Sequence, residues 1–183
     1  HAGGKFSEGA YQTSGGLHGV SASVVNALSD RMVVEVARNR ELWRQGFSRG
    51  IPQGPVEKIG PAPNRRGTTV IFHPDEQIFG HHRLKPARMM RMVKSKAYLH
   101  SGVEIRWKTE IDDGETPLEA TFHFPGGLAD YLSEQLGTAT TYAERPFAGA
   151  GEFRERFNVP GKVEWAINWT PSRDGFIQSY CNT

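Results

Sequence analysis

The first 28 residues, HAGGKFSEGAYQTSGGLHGVSASVVNAL, set the tightest limit on what this chain can become: a glycine-rich run passes straight into an apolar segment of helical period. Glycines at 3, 4, 9, 15, 16 and 19 permit positive φ and close approach of the backbone to a ligand, at an entropic cost that a purely structural loop rarely needs. The run closes on Gly15-Gly16-Leu17-His18-Gly19-Val20. Behind it Ala22, Val25, Ala27 and Leu28 fall on one helical face, with Ser21 or Ser23 as the expected N-cap. Such a loop brings unpartnered backbone N–H groups and the positive end of a helix dipole together, which is an anion site in outline. No GxxxxGK(S/T) occurs, so it is not a P-loop, and no strand pattern precedes it, so it is not a dinucleotide fingerprint. On local chemistry alone, a flexible surface connection stays open as the other reading.

The 183 residues suffice for one large domain or two small ones, and 37% hydrophobic with 23% charged residues fits a soluble globular chain rather than a disordered one. A net charge of +2 permits contact with a polyanion without arguing for it. Cys181 is the single cysteine, which excludes a disulfide framework or a cysteine zinc site and favours a reducing, cytoplasmic setting. No apolar run approaches the ~18 residues of a membrane span, and the first residues given lack the basic and apolar regions of a signal peptide. The chain starts without Met in mid-motif and is expected to be a piece of a longer protein.

Past the first helix, Met32 to Ala37 and Glu41 to Ser48 read as an antiparallel hairpin turning at Asn39-Arg40. Gly50 to Arg66 is rich in Pro and Gly, with Val56 to Ile59 as a short edge strand. Thr68 to Phe72 is dense in β-branched residues and reads as a buried strand closed by His73-Pro74-Asp75. A helix is expected from Leu84 to Leu99, with Pro86 in its first turn and Met90, Val93 and Ala97 facing inward. Val103 to Lys108 and Glu119 to Phe124 suggest a hairpin around Asp112-Asp113-Gly114, and Leu128 to Leu136 a helix stopped by Gly137. Val163 to Trp169 begins a further strand, with Phe176 to Cys181 as its expected partner. A domain boundary is placed near Gly126.

The blocks HAGGKF (1–6), YQTSGGLHGV (11–20), SVVNALS (23–29), RGTTVIFHPD (66–75) and SGVEI (101–105) together resemble the ATPase region of bacterial type IIA DNA topoisomerase B subunits, in the GHKL ATPase superfamily. HPDEQIF (73–79) and KAYLHSGVEI (96–105) look more like the topoisomerase IV than the gyrase B subunit. The resemblance implies an α+β fold with a mixed sheet. Residues 1–125 would be the later part of a GHKL (Bergerat-type) α/β sandwich, and 126–183 the start of a transducer domain of the ribosomal S5 domain 2-like type. It implies an ATP lid over His1 to Gly19, with Gly4 and Lys5 near the phosphates and Tyr11 reaching the adenine. Leu17, His18, Gly19 and Val20 would hold the β- and γ-phosphates, and Thr68 would help read the adenine edge. Ser21 takes the third glycine position of the phosphate loop, where a Cβ is expected to weaken nucleotide binding. Arg38 matches an arginine that contacts aminocoumarin inhibitors.

The same resemblance places the catalytic glutamate, the magnesium-binding asparagine, the adenine-binding aspartate and the transducer lysine outside this chain. No catalytic residue or metal ligand is therefore expected here, and the isolated chain is expected not to turn over ATP. Its implied partners are ATP with Mg²⁺, a second B subunit, the A subunit in an A2B2 heterotetramer, and double-stranded DNA at the nucleoid. The lid is expected to be the most mobile segment.

Two rival classes are weighed on residues. Gly19-Val20-Ser21-Ala22-Ser23 approaches the GxSxG elbow, with histidines at 73, 81, 82, 100 and 123, but that elbow needs a buried strand leading in, and a glycine loop leads in instead. A non-catalytic anion- or nucleic-acid-binding module is suggested by Arg83, Lys85, Arg88, Arg91, Lys94 and Lys96. These spread around more than half of their helix, which favours a solvated face.

Overall fold

The computed structural model describes residues 20–81, 83–154, 160–172 and 174–180. Contacts divide the chain into two compact units, one up to Arg83 and one from Leu84. The boundary expected near Gly126 falls inside the second of these.

The first unit is built on a hairpin. Helix α1 (Ser21–Ala27) leads into β1 (Ser29–Arg38), which turns at Asn39 and Arg40 into β2 (Glu41–Ser48). Both turn residues have positive φ, 54° and 66°, as in a two-residue type I′ turn whose twist matches that of the flanking strands. The turn fixes the register from Arg38↔Glu41 to Met32↔Phe47. Strand β2 also carries β3 (Ile51–Pro52) and β4 (Glu57–Pro61), and β1 pairs on its other side with β5 (Gly67–Pro74), giving the order β3-β2-β1-β5 with β4 on β2. A one-turn helix, α2 (Glu76–Phe79), follows β5.

Four expectations are corrected in this unit. The N-cap of α1 is Val20 rather than Ser21 or Ser23, and no side chain caps the turn; Ser21 is already the first helical residue. The sheet is not mixed, since every strand pairing among the described residues is antiparallel. Strand β5 is not buried: Val70, Ile71 and Phe72, which alternate between the two faces, are 53%, 48% and 43% exposed, and β1 is its one strand partner among the described residues. Of the expected closure His73-Pro74-Asp75, the first two residues still belong to the strand, Pro74 pairing with Ser29 across a bulge where a residue without an N–H is tolerated, and the strand ends before Asp75.

The second unit packs α3 (Pro86–Leu99) and α4 (Leu128–Leu136) with the hairpin β6 (Glu104–Lys108) and β7 (Glu119–His123). Pro86 sits at the first position of α3, where its missing N–H costs nothing. Ala97 is fully buried, while Met90 and Val93 are half-buried. The core is aromatic. The Tyr98 ring stacks on Tyr131 of α4 at 3.7 Å and meets Phe124 edge-on at 6.1 Å, and its hydroxyl hydrogen-bonds that of Tyr180. Burial, with that bond, pushes the Tyr98 hydroxyl above the usual phenol range. Asp113 holds the β6–β7 loop by accepting from the Thr116 N–H and hydroxyl at 2.7 and 2.8 Å.

A second hairpin joins β8 (Phe147–Arg154) to β9 (Pro160–Ile167). Here the strand partner expected at 176–181 is corrected. Residues 176–180 are not a strand, and Phe147 to Arg154 is the true partner. Its small residues make room for rings: a Cβ on Gly149 would come within 2.7 Å of the Trp165 indole. No helix among the described residues is long and apolar enough to cross a membrane.

Candidate functional site

The site expected from the sequence is described in part. Gly4, Lys5, Tyr11, Leu17, His18 and Gly19, and with them the lid and its expected mobility, lie outside the described residues. Val20 ends the approach in near-helical geometry (φ −94°, ψ −11°), and its carbonyl accepts the Val24 N–H at 2.9 Å. Ser21 is exposed and does not have positive φ; among described non-glycine residues only Asn39, Arg40 and Arg49 do. A serine therefore takes this position without backbone strain, so any harm to the loop comes from the bulk of its Cβ.

The C-terminal end of α1 is tied down by three backbone bonds from elsewhere in the unit. The Gly50 N–H donates to Asn26 O at 3.1 Å, the Arg49 N–H to Ser29 O at 2.8 Å, and the Asp75 N–H to Leu28 O at 3.0 Å. Arg49 makes its bond from the left-handed region (φ 48°), and its side chain pairs with Asp75, which is 2% exposed. Asp75 also caps α2 by accepting the Gln77 N–H at 3.0 Å. The Arg49 guanidinium, with the Gln77 amide, holds the Asp75 carboxyl below the usual carboxylate range.

Thr68 and Arg38 come onto one face of the sheet. Thr68 on β5 lies opposite Val36, and Arg38 is two residues further along β1, so the two are diagonal neighbours and both are exposed. Trp43 of β2, opposite Val36, continues the same face. A hollow of about 260 Å³ adjoins the turn beyond Arg38, lined by Asn39, Arg40, Glu41, Lys58, Gly60 and Pro61.

The opposite face carries a charge cluster around a buried carboxylate, with its two arginines half exposed. Glu35 is 8% exposed, and its Oε1 accepts from Arg44 Nε and Nη2 at 3.0 and 2.6 Å, while its Oε2 accepts from Arg65 Nη2 at 2.7 Å. The same Arg65 Nη2 donates to Thr69 Oγ1 at 2.8 Å. These bonds, from Arg44 first and Arg65 second, lower the Glu35 pKa from its ordinary value. The cluster ties the loop before β5 to β1, and it fixes Thr69, the neighbour of Thr68. Sequence reasoning passed over it, although a signal was there: one acid in the apolar strand MVVEVA needs a partner, and Arg44 occupies the mirror-image position about the Asn39-Arg40 turn.

Comparison with known proteins gives the relatives of this chain. The whole chain aligns at 53% identity over 191 residues with the B subunit of DNA topoisomerase 4 from Caulobacter vibrioides, and at 52% over 188 residues with that from Bartonella bacilliformis. It spans 27% of the length of each. Among solved structures it matches the 43K ATPase domain of Thermus thermophilus gyrase B in complex with an aminocoumarin, with TM-score 0.65 and 36% identity over 73% of this chain and 36% of that one. It also matches the gyrase B subunit of Myxococcus xanthus, with TM-score 0.66 and 26% identity over 81% of this chain and 42% of that one. No protein-family model matches the chain.

The fold is that of the gyrase B ATPase domains, of the GHKL class. The chain belongs to the type IIA DNA topoisomerase B-subunit family, and its full-length alignments are to topoisomerase IV B subunits.

Proposed function

We propose that this chain forms part of the ATP-binding region of a topoisomerase IV B subunit, in which ATP binding closes a dimer gate and hydrolysis resets it after one DNA duplex has passed another. The observation that carries the reading is the alignment of all 183 residues with topoisomerase IV B subunits. The shared face of Thr68 and Arg38 supports it: a hydroxyl and a guanidinium beside an apolar Val36 suit a flat, polar-edged base.

In this reading Gly4, Lys5, Tyr11, Leu17, His18, Gly19, Val20 and Ser21 surround the nucleotide, and Arg38 lies at the pocket mouth, where an aminocoumarin would meet it. Residues 1–125 belong to the ATPase domain and 126–183 to the start of the transducer. In this reading the Mg²⁺ that accompanies ATP is held by residues outside this chain. A second B subunit, the A subunit and duplex DNA are the partners, and the setting is cytoplasmic.

The test uses the full-length protein. It should bind ATP by calorimetry, and Thr68→Ala should weaken binding roughly tenfold, the worth of one hydrogen bond. With its A subunit it should decatenate linked DNA circles. Absence of ATP binding overturns the reading. ATP-driven negative supercoiling would instead assign the chain to a gyrase B subunit, the protein of both matched structures.

A further inference from the structure

Helix α3 is cationic in a way that its packing does not use. Across Pro86–Leu99 it carries Arg88, Arg91, Lys94 and Lys96 and no acidic residue, and Lys85 is its N-cap. A helix that is charged only to stay wet mixes signs, because opposite charges one turn apart stabilise it and like charges do the reverse. Lys85 and Arg88 even crowd the first turn, where the helix dipole favours acids. This distribution works against the helix.

The structure sorts these cations. Lys94 turns inward, pairing with Glu134 of α4 and lying 5.7 Å from the Phe122 ring, on the side where α3 packs against β6, β7 and α4. Lys85, Arg88, Arg91 and Lys96 are exposed and fall within an arc of about 140°. None of the four has an ion-pair partner among the described residues. The spread around the helix seen in the sequence therefore resolves into one neutralised inner lysine and an unneutralised outer stripe.

We propose that this outer face of α3 binds the sugar-phosphate backbone of duplex DNA. The stripe from Lys85 to Lys96 runs about 16 Å, and each strand of a duplex presents one phosphate per ~3.4 Å of axis, so several cations can engage successive phosphates at once. A single nucleotide would occupy only one of them. Contacts of this kind position a duplex without reading its sequence. The choice of DNA over another polyanion rests on the functional reading above.

The experiment measures the affinity of the full-length protein for a random-sequence 40-base-pair duplex (length on the order of four helical turns) across a salt series without nucleotide. In the triple variant Arg88→Gln, Arg91→Gln, Lys96→Gln, the slope of log affinity against log salt should fall by about 2.7, or about 0.9 for each phosphate left without its cation. Lys94→Gln should leave the slope unchanged, and Arg88→Lys with Arg91→Lys should retain it. An unchanged slope in the triple variant overturns the proposal, as does an equal loss in Lys94→Gln. Polyglutamate that competes as well as duplex at equal charge overturns the choice of DNA. ATP affinity, measured in parallel, should be unaffected by the triple variant. Failure of the wild-type protein to bind ATP overturns the functional reading while leaving the DNA slope to be judged by itself.

Discussion

Arg49 and Asp75, 26 residues apart, form a two-point ion pair, Nε to Oδ2 at 2.5 Å and Nη2 to Oδ1 at 3.3 Å, that joins the turn after β2 to the cap of α2. Both residues also bind the α1–β1 junction through their backbone N–H groups. One pair thus locks three segments that are remote in sequence, and α1, which follows the glycine loop, is seated on that lock.

Replacing Arg49 by Ala leaves the Asp75 carboxylate nearly buried with its cation gone, so the melting temperature of the full-length protein should fall by roughly 5 °C. The pH dependence has a definite sign. The folded-state pKa of Asp75 is depressed, so its contribution is fully present above the unfolded value near 4 and is lost as pH falls through the folded value. The difference in stability between wild type and Arg49→Ala should therefore shrink as pH is taken below about 4. A difference that grows in acid would contradict the arrangement.

Glu35 serves two guanidinium groups at once, and without it Arg44 and Arg65 face each other uncompensated. Glu35→Gln should lower the melting temperature more than Arg44→Ala, which removes one partner and leaves the other. Since the Glu35 pKa is also depressed, wild type loses stability as pH falls below the unfolded value of about 4.5, and the Gln variant, with no carboxylate to protonate, should show a shallower slope. Denaturant titrations at several pH values check both points.

Ser21 opens α1 with ordinary backbone geometry and no capping bond. Ser21→Gly should then destabilise the helix by about 0.5 kcal/mol. It should still tighten ATP binding in the full-length protein, by removing a Cβ beside the phosphates. Calorimetry showing equal or tighter binding by the serine form would refute the crowding argument.

Tyr98 is 3% exposed and touches Phe124, Tyr131 and Tyr180. Tyr98→Phe keeps the rings and loses one hydroxyl bond, a cost of about 1 kcal/mol. Tyr98→Ala empties the centre of the second unit and should cost about 3–5 kcal/mol. Equal effects in equilibrium unfolding would mean that the hydroxyl, rather than the ring stack, holds the cluster.

The sequence by itself determined what depends on neighbours within about ten residues. The Asn39-Arg40 turn set the β1–β2 register, the β-branched run of Thr68 to Phe72 made a strand, Pro86 opened α3 and Gly137 closed α4. The glycine motif joined to its helix and strands also sufficed to place the chain in its family. Tertiary structure decided what depends on groups meeting across long stretches of chain: that Arg65 joins Arg44 on Glu35, that Asp75 answers Arg49, and that β5 is an edge strand. It also separated Lys94 from the other cations of α3. Backbone propensity and side-chain period are local, so they can be read along the chain. Burial and charge pairing are sums over neighbours brought together only by folding, and no spacing in the sequence fixes them.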